Sequence, residues 1–120
     1  MLIQDEATKK TVLQTMADDC SITILKATTE RAYSAMELVR EFAFPSSTVY
    51  RRISELLTAK LLAVERIVVT EDGKKFSLYR STVKEMHSEY SFGKVEVHLI
   101  PNEDIVNKLS RLWDSMRIQK

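Results

Sequence analysis

The stretch that most constrains this chain is "SAMELVREFAFPSSTVYRRISELLTAKLL", residues 34–62, in which two helical patterns are interrupted at Ala43-Phe44-Pro45. Ser34 and Glu37 stand at the S-x-x-E spacing of a capping box, so a helix is expected from Ala35. It must be short. Pro45 pushes the residue before it out of helical geometry and can stand at or just before the next helix start, with Ser46 or Ser47 as the expected N-cap. In that second helix Val49, Ile53, Leu56 and Leu57 recur three and four residues apart and mark the buried face.

Beyond this helix pair the chain is β-like. It has only 2 glycines, and each sits where a hairpin needs one. Gly73, in "TEDGKK", separates "LLAVERIVV" from "FSLYRS", both rich in β-branched or aromatic residues. Gly93 precedes "VEVHLI", where Val95, Val97 and Leu99 alternate at strand period. Hairpins are therefore expected over about 63–81 and 83–100. Further helices are expected over 6–17, over 19–28 with Asp18 or Asp19 as cap, and after Pro101 and Asn102, where Glu103 and Asp104 suit a helix N-terminus.

Two helices joined by a short turn, the second running into a hairpin, make a winged helix-turn-helix. The fold class expected is thus α+β, a winged helix-turn-helix with a second β-hairpin and a C-terminal helix. The expected organisation is a helical extension over 1–18, the DNA-binding unit over 19–82, and the second hairpin with a dimerisation helix over 83–120.

Composition bounds the function. The 18 Lys+Arg balance 17 Asp+Glu, so no global field announces a polyanionic partner and local charge must carry such a claim. From Ser46 to Arg80 the basic residues Arg51, Arg52, Lys60, Arg66, Lys74, Lys75 and Arg80 outnumber Glu55, Glu65, Glu71 and Asp72. Cys20 is the single cysteine, which excludes an internal disulfide and a thiolate-rich metal site and fits a reducing, cytoplasmic setting. No apolar run approaches the ~20 residues of a membrane span, and the N-terminus is too polar for a signal peptide. No cofactor is expected. There is no glycine-rich phosphate loop, no nucleophile beside a base and no carboxylate cluster at metal spacing, so nothing looks catalytic.

With one face of the second helix committed to the core, Ser47, Arg51 and Ser54 lie opposite, flanked by Thr48, Tyr50 and Arg52. Small hydroxyls at a helix N-terminus can donate to phosphate beside the free backbone N–H groups. Arginine can grip guanine O6 and N7 with two hydrogen bonds. The candidate contacts to double-stranded DNA are accordingly Ser46, Ser47, Thr48, Tyr50, Arg51 and Arg52, with Lys74 and Lys75 from the wing. The plain reading of the same residues is a capped, solvated helix and a hairpin kept soluble by its lysines. Cys20 reads first as a small buried residue, and His87 and His98 as a pair across the second hairpin.

"SAMELVREFAFPSSTVYRRISELLTAKLLAVE", together with the later "DGKKFSLYRST", resembles the winged helix-turn-helix of ArsR-like transcriptional regulators, especially the archaeal kind, over about residues 19–82. The resemblance implies a dimeric DNA-binding regulator whose recognition positions fall on Ser46, Ser47, Thr48, Tyr50, Arg51 and Arg52. Two departures matter. Metal-sensing members carry C-x-C in the helix-turn-helix, and "AMELVREF" has none, so metal-responsive release is not expected. The family usually places glycine after the recognition helix; this chain has Ala59-Lys60-Leu61-Leu62, and a left-handed Lys60 would cost about 1 kcal/mol relative to glycine.

In "EDIVNKLSRLWDSMR" an apolar stripe of Ile105, Val106, Leu109, Leu112, Trp113 and Met116 needs a surface to cover, and a twofold mate is the expected one. Two function classes stay open at this point. One is a homodimeric, sequence-specific regulator; the other is a winged-helix interaction module of the transcription machinery that reads no bases.

Overall fold

The computed structural model describes residues 1–108. In chain order it contains β1 (Leu2–Ile3), α1 (Glu6–Met16), α2 (Asp19–Glu30), α3 (Ala35–Phe42), α4 (Ser46–Thr58), β2 (Leu62–Val69), β3 (Lys75–Ser81), β4 (Val83–Ser91) and β5 (Lys94–Pro101). A last helical stretch covers 103–108.

Three of the helices start on a side-chain cap. Asp5 accepts from Thr8 N–H at the head of α1, and Asp18, not Asp19, accepts from Ser21 N–H at the head of α2. At α3 the box is complete: Ser34 N–H donates to Glu37 Oε1 at 2.9 Å and Glu37 N–H to Ser34 Oγ at 3.1 Å. Ala43 ends α3 in left-handed geometry, at φ 57°. The expectation that Ser46 or Ser47 caps α4 is corrected. Pro45 holds the N-cap position, no side chain caps it, and Ser46 is already helical.

The α4 stripe buries as its spacing requires, with Val49, Ile53 and Leu56 each almost wholly covered. They join Val12 of α1, Ile24 and Leu25 of α2 and Leu38 of α3 in one cluster, which Val97 and Leu99 of β5 also enter. The second hairpin therefore shares the core of the helix-turn-helix. Beyond α4, Lys60 stands at φ 63°, the left-handed conformation in which glycine is cheaper.

Strands β2 and β3 form the wing. Tyr33 pairs with Tyr79 at its base through two backbone hydrogen bonds of 3.1 and 2.8 Å, so the α2–α3 connection acts as a third, one-residue strand. Arg80, buried, donates to the carbonyls of Thr28 and Thr29 at 3.0 and 2.8 Å and to Glu65 at 3.2 Å. A cation on the last carbonyls of a helix answers its dipole as well as its open acceptors. The wing is thereby fixed to α2.

The second sheet has the order β1-β5-β4, with His87 opposite His98 as their sequence positions suggest. Strand β1 was not anticipated: Leu2 and Ile3 pair with His98 and Val97 ahead of α1, where only a helical extension is expected. Pro101 closes β5, and Asn102 is buried, its side-chain amide donating to Thr29 and Ser81 carbonyls at 2.8 and 3.0 Å. Ile105 is only 1% exposed within its own chain. That corrects its assignment to a dimer surface: the helical stretch 103–108 turns Ile105 into its own chain, and Lys108 adds a 3.1 Å ion pair to Glu65. Val106 is half-buried, and Leu109, Leu112, Trp113 and Met116 lie outside the described residues.

Candidate nucleic-acid interface

Helix α4 presents Ser46, Ser47, Tyr50, Arg51 and Ser54 to solvent, while Thr48 is half-buried. The three capped helices satisfy part of their first-turn N–H groups from a side chain, and α4 does not. Its first-turn donors carry no side-chain cap and lie beside two exposed serines, groups that suit a phosphate oxygen. Arg51 is 66% exposed and, among the described residues, is held only by a long 3.9 Å approach to Glu55 one turn on. Such a contact is easily exchanged for a base or a phosphate.

Arg52 behaves differently. Its side chain is 23% exposed and grips Asp18 with Nε at 2.9 Å and Nη2 at 3.2 Å, while Nη1 reaches Glu55 at 3.0 Å. The structure turns it toward the α1–α2 connection, away from the outward face. Partial burial by itself would raise the Asp18 carboxyl, but the Ser21 N–H and hydroxyl and then the Arg52 guanidinium hold it below the usual carboxylate range. The same pair bears on Cys20. Burial pushes its thiol up and the Asp18 charge adds to that, against a smaller opposite pull from Arg52, so the sulfur stays a protonated, inert core group.

The wing ends in a loop closed by Thr70 N–H to Lys74 O at 2.8 Å and Gly73 N–H to Thr70 O at 2.9 Å, with Gly73 at φ +84°. Thr70 Oγ1 also donates to Asp72. Lys74 projects from this tip, 82% exposed and 3.9 Å from Asp72. Lys75 lies at the start of β3 in a groove shared with Arg40 of α3 and Tyr50 of α4. Arg40 was missed by sequence reasoning. Its only signal was a basic residue in the last turn of a short helix, and nothing local says that the wing folds across it.

The expected contacts thus divide. Ser46, Ser47, Tyr50 and Arg51 share one exposed surface, Lys75 lines the groove beside Tyr50, Lys74 stands at the wing tip, and Thr48 and Arg52 fall at the inner margins. Of the seven basic residues counted between Ser46 and Arg80, Arg52 and Arg80 are consumed by internal ion pairs.

The comparisons with known proteins bear on the fold. The chain is similar over 95% of its length to 92% of a solved Mycobacterium tuberculosis protein, Rv0081, at 20% identity and a TM-score of 0.52. A solved ArsR family transcriptional regulator, RHA00566, aligns over 97% of this chain and 93% of its own at 9% identity and a TM-score of 0.45. No family model and no curated protein matches the chain significantly. At such identities the first likeness speaks for a shared fold alone, which agrees with the α+β winged-helix architecture of this chain. Among the described residues, no helix is long and apolar enough to cross a membrane, and no group of three or more His, Cys, Asp or Glu could hold a metal ion.

Proposed function

We propose that this chain is a sequence-specific, double-stranded DNA-binding transcriptional regulator of the ArsR-like kind, with α4 in the major groove and the wing on the flanking backbone. The observation that carries this is the exposed face of α4. An uncapped N-terminus with two serines precedes Tyr50 and a weakly held Arg51, and a lysine-bearing wing stands on the same side of the molecule. In this reading Ser46, Ser47 and Tyr50 hold phosphate or sugar, Arg51 reads a base edge, and Lys74 and Lys75 meet phosphate. The archaeal kind is suggested by "SSTVYRRI" itself. A homodimer answers the needs of recognition: two such helices about 34 Å apart read two half-sites and multiply a weak single contact.

The test is duplex binding with salt varied. Arg51→Ala should weaken binding to the preferred site by about 1–3 kcal/mol and relax preference at one base position. Lys74→Ala should weaken all duplexes alike and lower the salt slope by about 1. No duplex binding even at low salt would sink the proposal and leave a protein-docking module.

A further inference from the structure

Among the described residues strand β4 has one neighbour, β5, and the geometry says which of its backbone groups are spare. Leu99 of β5 exchanges hydrogen bonds with the first residue: its N–H donates to the Met1 carbonyl at 2.8 Å and its carbonyl accepts from the Met1 amino group at 2.6 Å. The backbone groups of Leu99 therefore point to the β1 side. Alternation along an antiparallel strand then aims those of Glu96, His98 and Ile100 at β4. Their register partners Glu89, His87 and Glu85 aim back at β5. Met86, Ser88 and Tyr90 are left with N–H and C=O groups directed off the sheet, and among the described residues no strand covers that edge.

We propose that this edge pairs antiparallel with β4 of a second copy, Ser88 opposite the partner's Ser88, so that two 3-stranded sheets become one continuous sheet. The inference rests on the sheet and not on the DNA reading.

Parity and charge set the register. Only Met86, Ser88 and Tyr90 can form the hydrogen-bonded pairs of the new ladder, so a twofold axis must pass through a residue and not between two. An axis through His87 sets Glu85 against the partner's Glu89, and one through Glu89 sets two glutamates face to face; both are repulsive. An axis through Met86 runs the ladder into the irregularity between Val83 and Glu85. With the axis on Ser88, His87 lies opposite the partner's Glu89 and Met86 opposite the partner's Tyr90, each pair occurring twice. Glu89 has no ion-pair partner among the described residues of its own chain, His87 holds Glu85 of its own strand at 3.0 Å through an exposed contact that is easily exchanged or shared, and Tyr90 is 75% exposed. Charge thus excludes two registers and the irregularity a third, while an axis through Tyr90 would keep only the last residues of β4 before its turn, which leaves Ser88 as the register with both a long ladder and compatible charges. An unrelated peptide would have no reason to match that pattern on both sides of a twofold.

Sedimentation velocity of the full chain without DNA tests the pairing. Wild type should be a dimer and Ser88→Pro a monomer, because proline removes an N–H that points off the edge and leaves the β5 ladder intact. Ser88→Cys should form a disulfide-linked dimer under mild oxidation, whereas Glu96→Cys on β5 should not; Cys20 is buried and needs no replacement. If Ser88→Pro fails to fold, the cysteine pair decides. A monomeric wild type overturns the proposal, as does a dimer that survives Ser88→Pro. So does absence of the Ser88→Cys link, or dissociation by Leu109→Glu with Leu112→Glu alone, which would place the interface on residues 109–116 instead. None of these readouts involves DNA, so loss of this interface and loss of DNA binding are scored separately.

Discussion

The outward face of α4 and its flank against α1 and α2 are made of the same residue types. Arg51 and Arg52 are neighbours in the chain, and Glu55 lies within 4.0 Å of both. Yet one guanidinium is free to exchange its partner, and the other is locked by two hydrogen bonds to a carboxylate that already caps α2. The difference teaches that position on a helical wheel gives direction and not availability. A turn of about 100° per residue separates the two arginines. What decides their roles is the presence of Asp18 at one end of that turn and water at the other.

The largest expected effect comes from breaking the flank. Arg52→Ala removes the Asp18 pair, the 3.0 Å bond to Glu55 and the packing of a largely covered side chain, and leaves Asp18 partly buried beside the gap, which together should cost about 1.5–3 kcal/mol in denaturant unfolding. Arg51→Ala should change folding stability by less than about 0.5 kcal/mol, because its side chain touches little else. If the two variants lose equal stability, the division of α4 into an exposed face and an anchoring flank is wrong.

Much of this molecule could be read from the chain because its signals are local. The Ser34/Glu37 box, the break at Pro45, the Val49/Ile53/Leu56 stripe and the glycines at both hairpin tips each act within a few residues. What escaped depends on partners far away. Asp18 and Arg52 are 34 positions apart, Arg80 and Thr28 are 52, and Met1 meets Leu99 across 98. No periodicity encodes such pairs. Ile105 shows the same limit: its place in an amphipathic stripe was legible, but whether its own domain or a twofold mate would cover it was not.

A smaller effect should appear where α4 ends, at a position belonging to neither face. Lys60 is exposed and left-handed at φ 63°, so Lys60→Gly removes backbone strain without removing a buried contact. Stability should rise by up to about 1 kcal/mol, offset in part by the extra freedom of glycine in the unfolded chain. DNA affinity should stay unchanged. A variant that folds more stably but binds DNA more weakly would show that the end of α4 couples to the face proposed to meet DNA.

The smallest effect is the one that isolates the flank most cleanly, the acid limb of stability. Asp18 has its carboxyl depressed below the ordinary value of 3.8 in the folded chain, so the unfolded chain binds its proton first as pH falls. Its contribution is complete well above that value and is lost as pH drops through the lower folded-state pKa. Because the Ser21 bonds outrank Arg52 among the groups that depress it, Arg52→Ala should flatten this limb only partly, whereas Asp18→Asn should remove the Asp18 component altogether. With both partners still in part exposed, the arginine's share should be under about 1 kcal/mol. Urea unfolding from pH 6 to pH 3, compared among wild type and the two variants, measures it. Parallel curves for wild type and Arg52→Ala would mean that the Asp18 pair orients α4 without contributing to the pH dependence.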